Sequence, residues 1–197
     1  MDHPTAETEG PGRSVLRLLA ALTLVGMGGL GLVLIGPVQG RAIVPVIIGN
    51  DPWYVLVVIG LTLGAITAAG AWWLLQRPYL VPVTERYTRL LRPWTGDRRD
   101  RWMISFSAGV GEELLFRGAL QYWLGIPLTA IAFVALHGYL NPRDARVSVY
   151  GSYLVLCMFV YGLVAQHLGL LPAVIAHVLF DVVLLHRLNR HGSPVDE

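Results

Sequence analysis

The chain has 197 residues, 54% of them hydrophobic and only 14% charged, with a mean hydropathy of +0.56. A soluble domain of this size carries about 25% charged residues, so the composition excludes an ordinary soluble globular protein and places the chain in a membrane. The single Cys157 lies in an apolar run, which excludes a disulfide framework and argues against a thiol nucleophile.

Residues 1–13 are polar, rich in Pro, Gly and Thr, and are expected to form a disordered tail. Residues 14–190 read as one helical membrane domain. Val15–Gly36 is a first span of about the 20 residues a bilayer requires. It is too long for a signal peptide and has no small-residue cleavage signature at its end. Its glycines, Gly26, Gly28, Gly29 and Gly31, predict close approach of another helix. Ala42–Gly49 is apolar but short and contains Pro45, which predicts an interfacial or re-entrant loop. Trp53–Leu75 is a second span, with Trp53, Tyr54, Trp72 and Trp73 as interface anchors.

Arg77–Arg101 is the one long polar connection, with seven arginines against three acids. Leu90, Leu91 and Trp94 interleave with Arg86, Arg89 and Arg92, the pattern of a helix on an anionic membrane surface. A role in substrate or lipid contact and a role as topology determinant both follow from that pattern, and the second is the more economical. Trp102–Leu124 is a third span. Gly125, Ile126 and Pro127 then turn the chain into a short fourth span ending at Leu140. Val149–Ala165 and Leu170 to about His186 are the fifth and sixth, and 191–197 is a polar tail. The expected fold is an all-α polytopic membrane bundle of about six spans.

The arginines orient this arrangement. With six spans, Arg13 and Arg17, the seven in 77–101, Arg143 and Arg146, and Arg187 and Arg190 all fall on one side, against Arg41 alone on the other. The positive-inside rule then puts both termini in the cytoplasm. All fifteen basic residues are arginine, which points to a GC-rich bacterial genome and hence to a bacterial cytoplasmic membrane. The expected partners are the lipid bilayer and a membrane-associated protein or peptide. No nucleic acid is expected, and the sequence leaves the oligomeric state open.

The third span is interrupted by Glu112, Glu113 and Arg117. A charged group near the bilayer centre costs roughly 2.5–3.5 kcal/mol even on the lenient insertion scale. A fold worth about 5–15 kcal/mol in total does not retain three such groups for packing alone. Glu113 and Arg117 are i, i+4 neighbours and predict a buried pair, while Glu112 points about 100° away and is left to face a cavity. His137 closes span four, and His177 and Asp181 are i, i+4 on span six. Glu112 lies ten residues from Trp102 and His177 nine from His186, so both sit about 13–15 Å deep. The six polar side chains are therefore expected to face one interior cavity open to the cytoplasm.

Glu112-Glu113-x-x-x-Arg117, Phe133-x-x-x-His137 and His177-x-x-x-Asp181 resemble the three-motif signature of the CPBP family. That family comprises the type II CAAX prenyl endopeptidases with their abortive-infection and bacteriocin-processing relatives. The resemblance covers 101–188. Eukaryotic members have Asn where this chain has Asp181. The resemblance implies peptide-bond hydrolysis within the membrane by a glutamic endopeptidase. In that reading Glu112 is the general base, His137 its partner, and His177 the oxyanion donor assisted by Asp181, with Glu113, Arg117 and Phe133 in support. No cofactor is required. If zinc is bound, Glu112, His137, His177 and Asp181 are ligands of the right type, although the His-Glu-x-x-His helix of zincins is absent. Ser105, Ser107 and Ser152 are weaker nucleophile candidates, none in a Gly-x-Ser-x-Gly elbow. A proton-coupled transporter would show inverted repeats in two halves, whereas here the polar groups fall in spans three, four and six. A non-catalytic immunity or scaffold protein is the remaining alternative.

Overall fold

A computed structural model describes residues 12–95 and 97–191 of the chain. The tails expected at 1–13 and 191–197 fall almost wholly outside these residues. The described residues are helical, with no strand among them. Among the described residues five helices are long and apolar enough to cross a membrane: α1 (Ser14–Val38), α3 (Trp53–Leu75), α5 (Arg98–Leu136), α6 (Ala145–Leu168) and α7 (Leu170–His191). Between them lie a short α2 (Ile43–Ile48) and an amphipathic α4 (Val81–Thr95).

The expected sixth span is hidden inside α5. Gly125 sits at φ 68° and ψ 172°, a conformation open to glycine at no steric cost, and Pro127 follows it. The chain doubles back there. Glu112 and His137 are twenty-five residues apart, about 37 Å along a straight helix, yet their side chains lie 3.6 Å apart. The return limb is shorter than the sequence pattern predicts. Its helix ends at Leu136 rather than Leu140, and a turn follows through Gly138 at φ 78°. Residues 126–136 rise only about 16 Å, roughly half the hydrocarbon core. His137 therefore lies at a helix end part-way through the membrane, with its side chain 36% exposed and its ring turned to Glu112.

α7 is the central element and packs on α3, α4, α5 and α6. Its seam with α3 is made by small residues. A Cβ at Gly60 would lie 2.8 Å from the Pro172 carbonyl oxygen, and one at Gly64 2.7 Å from that of Ala176, so the two backbones touch as in small-xxx-small membrane pairs. Gly28 and Gly31 of α1 serve the same purpose against Gly111 and Leu114, whereas Gly26 and Gly29 meet no neighbouring side and face outward. The glycine run therefore marks one packed face rather than a uniformly close helix. Large apolar side chains on the outer surface, among them Val25, Val58, Ile66, Leu128 and Leu136, are exposed. In a membrane this belt is the lipid-facing surface. Trp53, Tyr54 and Trp73 are exposed as interface anchors should be, but Trp72 turns inward onto the His191 ring.

α4 packs on the bundle instead of lying apart on a lipid surface. Val83, Thr84, Thr88 and Thr95 are buried while Arg86, Arg89 and Arg92 point out. Its end is fastened by Asn189 Nδ2 donating to Thr95 Oγ1 at 2.8 Å and by Arg101 donating to the Thr95 carbonyl at 2.7 Å. Asp97 then caps α5 by accepting from the Arg99 amide. The 77–101 and 137–144 connections and the C-terminal end of α7 gather at one end of the bundle. The α1–α3 connection, the Gly125 turn and the α6–α7 turn gather at the other.

A Cβ on Gly111 would run into the Thr23 backbone carbonyl of α1, which has no room to yield. Gly111→Val should therefore lower the unfolding temperature in detergent, by the equivalent of about 1–3 kcal/mol or more. Gly29→Val, whose Cβ meets nothing within 4 Å, should leave it unchanged.

Candidate active site

Three helices supply the polar groups. The outgoing limb of α5 carries Glu112, Glu113 and Arg117, with Arg117 in a π-helical stretch, Leu114–Leu120, of the kind often found at functional sites. The end of the return limb carries Phe133 and His137, and α7 carries His177 and Asp181. Glu112, His137, His177, Asp181 and Phe133 line one cavity of about 260 Å³. It reaches the end of the bundle covered by α4. Glu113 and Arg117, expected in the same cavity, do not line it. They lie behind it, where neither side chain has more than 1% of its surface exposed.

The pair has a specific geometry. Arg117 Nη1 stands 3.4 Å from Glu113 Oε1. Arg117 Nη2 donates to Met158 Sδ at 2.6 Å, and the guanidinium carbon lies 4.4 Å from the centre of the Phe133 ring. Glu113 Oε1 also accepts from His177 Nδ1 at 2.9 Å. Neither Glu113 Oε2 nor Arg117 Nη1 has a hydrogen-bond partner among the described residues. The attraction between the two is thus mainly Coulombic, and it acts in a dry interior where charges interact strongly.

Both histidines are fixed through Nδ1. The Phe133 carbonyl accepts from His137 Nδ1 at 2.7 Å, and an acceptor there requires the proton on Nδ1. The Glu113 carboxylate imposes the same condition on His177. Each ring then turns Nε2 to the cavity, and the two meet at one atom. Glu112 Oε2 is 3.6 Å from His137 Nε2 and 4.0 Å from His177 Nε2. These separations exceed a direct hydrogen bond. Asp181 Oδ2 approaches His177 Nε2 to 3.7 Å. The Phe133 ring is the shared wall: stacked on His137 with centroids 4.3 Å apart, edge-on to His177 at 5.8 Å and to Phe116 at 4.9 Å. Every site residue named from the sequence is thus in this cluster, five of them on the cavity wall.

The cavity has further walls that sequence reasoning missed. Tyr139 and Tyr150 line it, as do Met158 and, from α4, Thr84 and Tyr87. An aromatic or a methionine in an apolar run gives no sequence signal of facing a site rather than the core. The tyrosine just beyond His137 was the one available hint. Ser105, Ser107 and Ser152 do not line this cavity. Ser105 and Ser107 are buried, and Ser152 donates to the Ser148 carbonyl within its own helix. Cys157 is buried in the core. Among the described residues no group of three or more His, Cys, Asp or Glu side chains has the arrangement of a metal site.

The fold and these residues define a polytopic membrane protein with a carboxylate–histidine site enclosed in its helical bundle. Residues 100–183 match the family described as type II CAAX prenyl endopeptidase Rce1-like, consistent with the CPBP resemblance. No curated protein and no solved structure matches the chain.

Removing Arg117 would leave Glu113 buried without its counter-charge. Arg117→Ala should therefore destabilise the fold by about 3–5 kcal/mol, read as a loss of folded yield and of unfolding temperature. Adding Glu113→Gln removes the stranded charge and should restore part of that loss, a coupling that a double-mutant cycle measures.

Proposed function

We propose that the protein is an intramembrane endopeptidase that hydrolyses a peptide bond of a membrane-associated protein or peptide with a water activated by Glu112. The observation that carries this reading is the meeting of two Nδ1-anchored histidines on one carboxylate oxygen, at the wall of an internal cavity. The gaps of 3.6 and 4.0 Å around Glu112 Oε2 are of the size a bridging water spans.

The steps follow from the residues. Glu112 takes a proton from the water as its oxygen attacks the scissile carbonyl carbon, with His137 Nε2 holding the water in place. The carbonyl oxygen becomes an oxyanion, and His177 Nε2–H donates to it. Because Nδ1–H is committed to Glu113, His177 donates from Nε2 as an imidazolium, whose charge Glu113 and Asp181 balance once Glu112 is protonated. A preset donor of this kind lowers a barrier by roughly 3–4 kcal/mol. The protonated Glu112 then gives its proton to the leaving nitrogen as the C–N bond breaks, releasing a carboxylic acid, which ionises by passing its proton to the freed amine. General acid–base transfer through one residue contributes about 10²–10⁴-fold.

The distribution of arginines supports a bacterial cytoplasmic membrane with both termini and the cavity mouth on the cytoplasmic side. Because Glu112 and the two histidines supply base and donor themselves, the proposed reaction needs no metal.

Glu112→Gln should abolish cleavage of a panel of membrane peptides while leaving the unfolding temperature within about 1 °C of the parent, since a partly exposed carboxylate outside the buried pair is removed. Loss of activity in Glu113→Gln with retention in Glu112→Gln would reverse the two roles. In the same assay, activity should survive dialysis against a strong chelator, with well under one zinc per chain by elemental analysis. Activity lost to chelator and returned by zinc, with metal content falling in His137→Ala and His177→Ala alike, would make these residues ligands instead.

A further inference from the structure

A second polar cavity, of about 450 Å³, opens at the end of the bundle opposite the Glu112 cavity. Arg41, Arg117 and His167 line it together with the amides of Asn50, Gln121 and Gln166, and no carboxylate is among its lining residues. Arg41 comes from the α1–α3 connection. Among the described residues both of its hydrogen bonds leave from Nη1, to the Gly118 carbonyl at 2.9 Å and to Gln39 Oε1 at 3.0 Å. Its ring partner is Tyr122, 5.4 Å below the guanidinium. The N–H groups of Nη2 and Nε are therefore left for a ligand, held at a fixed place by the Nη1 bonds and the ring.

The depth of this cavity is set by aromatic residues. Trp53, Tyr54, Tyr122 and Trp123 are exposed at the same end, the position of a membrane-interface belt at headgroup level. Cationic and amide donors without an acid, at that level, fit an oxygen-rich anion. An arginine edge presented this way matches phosphate geometry in particular.

We propose that this cavity binds a phosphate group, from an anionic phospholipid headgroup or from free phosphate. Arg41 supplies the main charge, and His167 with the exposed amides of Asn50 and Gln166 supplies further hydrogen bonds, while Gln121 Nε2 is held by the Gly162 carbonyl. Arg117 borders the inner end of the cavity, but its side chain is 1% exposed and already engaged with Glu113 and Met158. The proposal is independent of the peptidase reading, because binding requires neither a substrate nor turnover.

The test uses full-length protein and measures its unfolding temperature, which a ligand of the folded state raises with concentration. One arm titrates sodium phosphate against sodium chloride at matched ionic strength in detergent. The other compares nanodiscs of phosphatidylcholine with nanodiscs containing phosphatidylglycerol. A saturable rise in the first arm assigns free phosphate as a ligand, and a rise confined to the second assigns the lipid headgroup. Arg41 also holds a backbone carbonyl, so the variants change side chains exposed to solvent, His167→Ala and Gln166→Glu. Each should raise the half-saturating concentration about tenfold or more, the loss expected for a charge-assisted hydrogen bond or for an added repulsive carboxylate. No rise beyond chloride in either arm, or an undiminished rise in both variants, would overturn the assignment.

Discussion

The cluster depends on one buried carboxylate. Glu113 has no exposed side-chain surface, yet it faces two cationic or proton-donating partners at once: Arg117 at 3.4 Å and His177 Nδ1 at 2.9 Å. A carboxylate in such a place is tolerable only with a counter-charge, and removing that counter-charge is what costs stability. In return Glu113 fixes the ring of His177, a residue on another helix, so that Nε2 faces the cavity. Arg117 extends the same constraint to the return limb through the Phe133 ring, which in turn stacks on His137. The outgoing limb of α5, its return limb and α7 are thus held in register by one connected set of side chains. Glu112 stands next to this set without belonging to it. That separation lets one glutamate be structural while its neighbour stays available for chemistry.

The break at Gly125 is the second requirement. Had α5 continued straight, Phe133 and His137 would lie far from Glu112. The reversal brings them back, and the short return limb stops at the depth of the carboxylates. Close helix contact makes the rest of the geometry possible. Gly111, immediately before Glu112, lets α1 approach until backbone meets backbone. Gly60 and Gly64 do the same for α3 against the helix that carries His177 and Asp181. A membrane bundle has no hydrophobic force between its helices, so this contact and the polar cluster carry much of its specificity.

Much of this was legible in the sequence, for physical reasons. Charged groups within apolar runs are expensive, so Glu112, Glu113, Arg117, His177 and Asp181 stand out. The i, i+4 spacing identifies Glu113 with Arg117 and His177 with Asp181 as neighbours. Counting rise per residue from the interface brings the groups to similar depth. Spacing along one helix does not say which neighbouring helix a side chain meets, so the bond from His177 to Glu113 and the withdrawal of the buried pair behind the cavity were not legible. The end of the return limb was misplaced because Gly138, Tyr139 and Leu140 continue an apolar pattern although the helix has stopped. The sequence of α4 reads as a surface helix because arginines dominate its composition. The threonines that bury its other face, such as Thr84 and Thr88, satisfy packing without any hydrophobic signal.

The claim on which the account rests is that Glu113 fixes the proton of His177 on Nδ1. Nitrogen-15 NMR of histidine-labelled protein, with the His177 resonances assigned by their loss in His177→Gln, reads that proton directly. The account predicts a protonated, strongly hydrogen-bonded Nδ1 whose signature shifts when Glu113 is replaced by Gln and not when Glu112 is. An unprotonated Nδ1 in the parent protein, or a resonance that ignores Glu113 and follows Glu112, would contradict it.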